Sequence, residues 1–403
     1  MFKQADCAGL TLPSADTGPV RCRIKIVHII NGLGVGGAEL ALTRLVTNAD
    51  RRAFDMQVVT LLGVMPLGDE LRAKGIGVHS VNMSKGTLNL SALGRLVRLL
   101  RRERPHLVQT WLQQSDLVGG VAARVAGVGP VLWNIRHSTL HPVFSKKTTR
   151  ILTLACAKLS RILPEHIVCC SEASRREQVK LGYAAEKMLV IPNGVDTARF
   201  HPDRDARQSV RAELGIPREA PVFGAAGRFD PAKDHRSLVR AAAGIAARNP
   251  ECHFVFCGEG VSTENPELAG WVNGTGLSDR FHLLGERRDI QRIMATFDVF
   301  LSSSCFSEGF PNVVSEAMAC GSTAIVTDVG DSASIVGDTG TVVPAEDPAA
   351  MVSAARALLG TGMEFIRKRG LLARCRILEN FSLSRMIARY QQLYAEAVAE
   401  HQR

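Results

Sequence analysis

A chain of 403 residues that is 46% hydrophobic and 22% charged has the length and apolar content for two cored domains, which excludes a disordered chain and a small disulfide-stapled module. No apolar run approaches the ~18 residues needed to span a bilayer as a helix. The net charge of +10 is unevenly placed, with 27 Lys/Arg against 14 Asp/Glu in residues 1–200 and 22 against 25 in residues 201–403, so the first half is expected to face something anionic.

Residues 1–21 lack an apolar signal-peptide core and read as a disordered leader. Strand-like runs follow near 24–30, 56–62, 77–81, 106–109, 131–135, 166–169 and 188–191, alternating with helical periodicity. The Pro-, Gly- and Asp-rich stretch Ile191–Ala206 reads as a linker. A second series of strands is predicted near 221–227, 252–257, 280–283, 298–301, 323–327 and 340–343. The fold class is therefore α/β, with two doubly wound parallel sheets in tandem and a ligand cleft between them at the carboxyl ends of their strands. The boundaries expected are 22–194 and 195–380, with a separate amphipathic helix over 381–403. Ten cysteines stand without metal-ligand spacing, and Cys169 and Cys170 are adjacent in a predicted strand. They read as reduced, buried thiols of a cytoplasmic protein.

Between the first strand and its helix lies Gly32-x-Gly34-x-x-Gly37, a strand–turn–helix loop whose bare amides suit a phosphate at the positive end of the helix dipole. It reads either as that site or as a tight turn with no ligand. A dinucleotide site would also need an acid closing the second strand. The nearest acids, Asp50 and Asp55, precede that strand, so an NAD-linked oxidoreductase is the weaker reading.

After the first strand of the second series, Arg228 and Lys233 in "GRFDPAKDH" are placed to bracket a diphosphate, or else to form surface ion pairs with Asp230 or Asp234. In "SEGFPNVVSEAMACG" seven residues separate Glu308 from Glu316, with Pro311 suited to the first turn of a helix. Glu308 then lies in the loop before the helix and Glu316 inside it. The amides around Phe310, Asn312 and Val313 lie between them and face the cleft. Two spaced carboxylates suit a ligand with two sugars. The alternative is one acidic loop residue and one solvated helix residue. Asp203-x-Asp205 lies in the linker and reads as solvated, so no metal site is predicted.

These motifs together resemble the retaining glycosyltransferases of family four, the group-one enzymes with the two-domain GT-B fold. The resemblance runs from about Ile24 to Tyr394 through "GGAE", "NIRHS", "IPNGVD", "GRFDPAK", "LLGERRDI", "EGFPNVVSE", "EAMACG" and "TDVGD", in the family's order. It implies that Gly36 and Gly37 approach the donor diphosphate and that Arg228 and Lys233 bind it. It implies that Glu308 holds hydroxyls of the transferred sugar and Glu316 the nucleotide ribose. His137 matches the family's active-site histidine, although a histidine beside Arg136 can equally be structural. The final helix is implied to cross back and brace the first domain. Metal-independent transfer by front-face displacement is also implied, with no cofactor beyond the nucleotide-sugar donor. Two departures stand out: Thr323 where the family often has Pro, and Ser334 in place of a donor-contacting acid.

Two basic amphipathic segments, Asn89–His106 and Ser145–Leu163, suit an anionic membrane surface or are ordinary arginine-rich helix faces. The acceptor expected is a saccharide or a polyprenyl-type lipid-linked saccharide. Nucleic acid is disfavoured, because aromatics are only 5% of the chain and no aromatic-studded basic groove is predicted. The function expected is transfer from a nucleotide-sugar, a UDP-sugar foremost, in surface polysaccharide or lipopolysaccharide synthesis, in the cytoplasm or at the inner face of the membrane. The alternative is a non-catalytic nucleotide-sugar-binding subunit of a glycan assembly complex.

Overall fold

The computed structural model describes residues 23–34, 36–83, 90–136 and 147–403. The leader expected at 1–21 and His137 lie outside the described residues, as does the start of the second basic segment.

The first sheet contains β1 (Ile24–Ile30), β2 (Phe54–Thr60), β3 (Gly77–Ser80), β4 (Leu107–Trp111), β5 (Val131–Ile135), β6 (His166–Cys169) and β7 (Met188–Val190). Its helices are α1 (Gly37–Asn48), α2 (Pro66–Ala73), α3 (Leu90–Glu103), α4 (Gln113–Ala126), α5 (Lys147–Leu159) and α6 (Glu172–Lys180). The strand order is β3-β2-β1-β4-β5-β6-β7, parallel throughout.

After α7 (Arg204–Glu213) comes the second sheet, of β8 (Val222–Ala226), β9 (His253–Cys257), β10 (Phe281–Leu283), β11 (Val299–Ser302), β12 (Thr323–Thr327) and β13 (Thr341–Val343). Between these strands lie α8 (His235–Ala246), α9 (Pro266–Asn273), α10 (Ile290–Met294), α11 (Asn312–Ala319) and α12 (Ser332–Val336), with α13 (Pro348–Leu359), α14 (Met363–Asn380) and α15 (Leu383–His401) following. The order is β10-β9-β8-β11-β12-β13, again parallel.

Both sheets are covered on both faces, which is why their strands read as continuous apolar runs. In β1, Ile26 and Ile30 enter one core and Val27 and Ile29 the other. In β12, Ala324 and Val326 split from Ile325 in the same way. The crevices of such sheets open where strand order reverses, between β1 and β4 and between β8 and β11. The glycine loop follows β1 and Arg228 follows β8, so both motifs sit at these points.

β2 begins at Phe54, two residues before the expected start, so Asp55 lies inside the strand. It remains at the amino-terminal end, away from the crevice. The expected linker also ends earlier than Ala206. Asp203 caps α7 by accepting the Ala206 amide at 2.9 Å, so the Asp-x-Asp pair opens a helix rather than lying in a linker, while Asp205 is exposed to solvent as expected.

α14 packs on β12 and α11, and the chain then crosses back. Tyr390 and Tyr394 of α15 are fully buried in the core beneath β1 and β4. Asn134 donates to Tyr390 Oη at 2.8 Å, and Tyr394 donates to the Gln109 side-chain carbonyl. The final helix therefore braces the first sheet. The two chain crossings touch each other: Val195 N–H donates to Phe381 and Leu383 N–H to Val195, both at 2.8 Å. Only glycine fits beside them, since a Cβ on Gly194 would lie 2.6 Å from Leu383 Cα.

Candidate active site

The wall supplied by the second sheet is built from two loops. After β8 the chain turns through Arg228 and a short helical turn, Pro231–Lys233, capped by Asp230. After β11 the loop from Ser303 is knitted onto that turn: Ser303 Oγ donates to the Lys233 carbonyl at 2.7 Å and the Cys305 amide to the Ala232 carbonyl at 2.9 Å. Ser307 adopts φ +61°, a left-handed conformation of the kind held only where surroundings enforce it. Glu308 follows directly. Lys233 Nζ donates to Glu308 Oε1, and Ser304 Oγ donates to the same oxygen at 2.9 Å. Arg228 is 69% exposed on the rim, with Nε 3.1 Å from Asp230 Oδ2. The surface-pair alternative thus describes the present contact of Arg228, while Lys233 is bound to Glu308 and not to an aspartate.

α11 starts at Asn312, with Pro311 as the residue before the first turn rather than within it. The Phe310 side chain is buried against Phe381, ring centroids 5.6 Å apart, so only its backbone is available to a ligand. Val313 lines a small recess with Gly227, Lys233 and Ser304. Glu316 is not a solvated helix residue. It is buried, and Arg44 Nη2 of α1 reaches its Oε1 at 3.3 Å from the other domain. Burial raises the Glu316 carboxyl above the ordinary glutamate range, against the pull of Arg44 and Arg199.

On the first-domain wall, Gly36 is the N-cap of α1 and carries no side-chain cap, which leaves the first amides of the helix open. The Glu39 carboxylate folds back against it, 2.5 Å from where a Cβ on Gly36 would stand. That carboxylate stands beside the loop whose glycines were expected to approach the phosphate. At the end of β5, Arg136 lies over the Trp111 ring, 4.7 Å from its centroid, and donates to Asn193 Oδ1 at 2.5 Å. Its Nε and Nη2 are buried without a partner among the described residues. Asn193 Nδ2 donates in turn to Asn312 Oδ1 at 2.9 Å, which joins the two walls. A further link runs from Asp331, whose carboxylate accepts the Glu172 and Ala173 amides at 2.9 and 2.8 Å at the start of α6.

The structure thus brings Lys233 and Glu308 into contact, sets Arg228 on the same turn, and places Glu316 opposite α1, the helix that begins at Gly37. Sequence reasoning missed Arg44, Arg136, Asn193 and Asp331 as site residues. The last three fall inside the stretches "NIRHS", "IPNGVD" and "TDVGD", and that was their only signal. Arg44 had none beyond being the one cation in "AELALTRLV". Among the described residues no group of three or more His, Cys, Asp or Glu side chains is arranged to hold a metal ion.

Comparison with known proteins gives the same picture from outside. Residues 35–199 match "Glycosyltransferase Family 4" and residues 220–361 match "Glycosyl transferases group 1". The chain is 26% identical over 273 residues to an Escherichia coli UDP-Gal:alpha-D-GlcNAc-diphosphoundecaprenol alpha-1,3-galactosyltransferase, covering 67% of this chain and 70% of that one. It is 30% identical over 177 residues to the lipopolysaccharide core biosynthesis mannosyltransferase LpsB of Rhizobium meliloti, covering 42% of this chain and 50% of that one. The crystal structure of Anabaena HepE in complex with UDP superposes with a TM-score of 0.81 at 21% identity, over 92% of this chain and all of that one. The chain belongs to the group 1, family 4 glycosyltransferases and has their GT-B fold.

Proposed function

We propose that this glycosyltransferase moves a sugar from a UDP-sugar to a lipid-linked saccharide, with retention at the anomeric carbon, in the synthesis of a surface polysaccharide or lipopolysaccharide. The observation that carries the reading is the Lys233–Glu308 pair, set with Ser304 at the carboxyl edge of the second sheet. It places a cation and a hydroxyl-binding carboxylate side by side, where a sugar diphosphate presents an anion and a polyol. As the sugar leaves, negative charge grows on the diphosphate. Lys233, the exposed Arg228 and the first amides of α1 are the groups that stabilise it. These cations and amides supply charge compensation without a metal. His137 keeps the place beside the donor sugar that the family resemblance alone assigns to it. The names of two relatives support the choice of donor and acceptor: the E. coli enzyme takes UDP-Gal and a diphosphoundecaprenol-linked acceptor, and HepE was crystallised with UDP.

A lipid-linked acceptor requires the enzyme to work at a membrane surface, and we place it at the cytoplasmic face. No single helix among the described residues is long and apolar enough to cross a bilayer. The two basic segments differ. Arginines of α3 are partly committed to neighbouring backbone, Arg95 to the Val81 carbonyl and Arg101 to that of Val125. α5 and the turn after it expose Ile151, Leu154 and Ile162 beside Arg150, Lys158 and Arg161, the combination that inserts among anionic headgroups.

The test is transfer from a panel of UDP-, GDP- and ADP-sugars to a synthetic diphospholipid-linked saccharide, with the new linkage read by NMR. A UDP-sugar should be used, and an α-linked donor should give an α-linked product. A β product, or use of a GDP- or ADP-sugar alone, would overturn the corresponding part of the reading.

A further inference from the structure

Glu316 is a buried carboxylate whose cationic partner belongs to the other domain. Arg44 Nη2 lies 3.3 Å from Glu316 Oε1, and Arg44 Nη1 lies 3.4 Å from the Gly194 carbonyl, where the chain passes between domains. Arg44 stands seven residues after Gly37 on α1, about 10 Å along the same rigid helix. One end of α1 offers open amides to a diphosphate, and the other carries the guanidinium that meets Glu316. Only Glu316 Oε1 is engaged by Arg44.

On the proposed role of Glu316 as the ribose-holding carboxylate, we propose that Arg44 is a positioning residue for the nucleotide. Its guanidinium, reaching across the cleft, orients the Glu316 carboxylate toward the ribose hydroxyls, so that donor binding draws on both domains at once. The groups around Glu316 make this contact the decisive one. Arg199 is the other cation that acts on it, and Cys320, just after the end of α11, is a neutral thiol whose ionisation burial disfavours. On the elements packed against α11, Arg374 of α14 is committed to the Ala319 and Phe200 carbonyls and Arg292 of α10 to Asp289; α12 carries no charged side chain.

Without Arg44, burial favours the neutral carboxyl, which accepts hydroxyl hydrogen bonds less well than the anion. The loss should therefore depend on pH in a way that a simple packing defect would not. The folded pKa of Glu316 is raised, so the anion is present above it and lost as pH falls through it; removing Arg44 moves that loss to higher pH.

The experiment is titration of the full-length protein with UDP, GDP and ADP by calorimetry, from about pH 8 to about pH 6, for wild type, Arg44→Met, Arg44→Lys and Glu316→Gln. The tightest nucleotide serves as the probe. Arg44→Met should bind ~10-fold or more weakly, the range for losing one partner of a buried charge pair. Its affinity should decline at a higher pH than that of wild type, and Arg44→Lys should recover most of both effects. Arg44→Met with wild-type affinity and pH profile, while Glu316→Gln is impaired, overturns this inference alone. Glu316→Gln with wild-type affinity overturns the ribose role and this inference with it, as does the absence of binding to any nucleotide. If Arg44→Met does not fold, Arg44→Ala replaces it and Arg44→Lys decides, because it keeps the charge but not the forked geometry: an Arg44→Lys affinity no better than that of Arg44→Ala identifies no role for the charge and overturns the proposal.

Discussion

Replacing Lys233 by Met removes the cation beside Glu308 and keeps an unbranched stem. The side chains of the pair are 25% and 13% exposed, so it is neither a surface pair nor a dry one. Breaking a buried pair costs about 3–5 kcal/mol, and exposed pairs contribute below about 1 kcal/mol. Glu308 keeps Ser304 Oγ at 2.9 Å, which places the stability loss for Lys233→Met between these limits, at about 1–3 kcal/mol. In a chain of this size that lowers the melting temperature by several degrees and leaves the fold intact. Turnover should suffer far more. A donor aimed at charge that develops in the transition state contributes about 3–4 kcal/mol, so kcat should fall ~100- to 1,000-fold. Glu308→Gln should lose a comparable factor through its contacts to sugar hydroxyls. Because one contact joins the two groups, the double variant should lose less than the product of the single losses. The assay is steady-state release of nucleotide from the donor, with melting curves recorded in parallel. Lys233→Met turning over at the wild-type rate, or single losses that simply multiply, would refute this reasoning.

Three further outcomes follow from the packing and the surface. Tyr390→Phe strips the acceptor from Asn134 Nδ2, while Asn134 Oδ1 is already buried without a partner among the described residues, and should cost about 1–3 kcal/mol in denaturant unfolding; an unchanged midpoint would contradict the bracing role given to α15. Gly194→Val forces a side chain onto Leu383 Cα, 2.6 Å from its Cβ position, and should cost about 1–3 kcal/mol by thermal melting. The protein should sediment with anionic liposomes at low salt and be released at high salt, and Ile151→Glu should weaken that binding; binding that neither salt nor the variant changes would remove α5 as the membrane face.

Much of the fold was legible because parallel strands buried on both faces leave long apolar runs. Ile24–Ile30, Val131–Ile135, His166–Cys169 and Thr323–Thr327 fall at their expected bounds, and Phe54–Thr60 is shifted by two residues. Lys233 and Glu308 were each placed at the second sheet's crevice because each follows a strand there, but their contact with each other was not anticipated. Arg44, Asn193 and Asp331 escaped notice for the opposite reason. Each makes its contact across the cleft, at 3.3, 2.9 and 2.8 Å, with a residue more than one hundred positions away in sequence. Neither periodicity nor local spacing encodes such pairings. Glu316 shows the limit most clearly: its helix was anticipated, but whether it faced water or an arginine depended on the placement of a second domain.

The most direct test of the central claim is nucleotide release from a panel of sugar nucleotides in chelator-treated buffer, comparing wild type with Glu308→Gln and Arg228→Ala. The account predicts release from a UDP-sugar on addition of a lipid-linked saccharide, strongly reduced in both variants. Release that persists undiminished in both variants would contradict it, because the groups that hold the sugar and its diphosphate would then lie elsewhere.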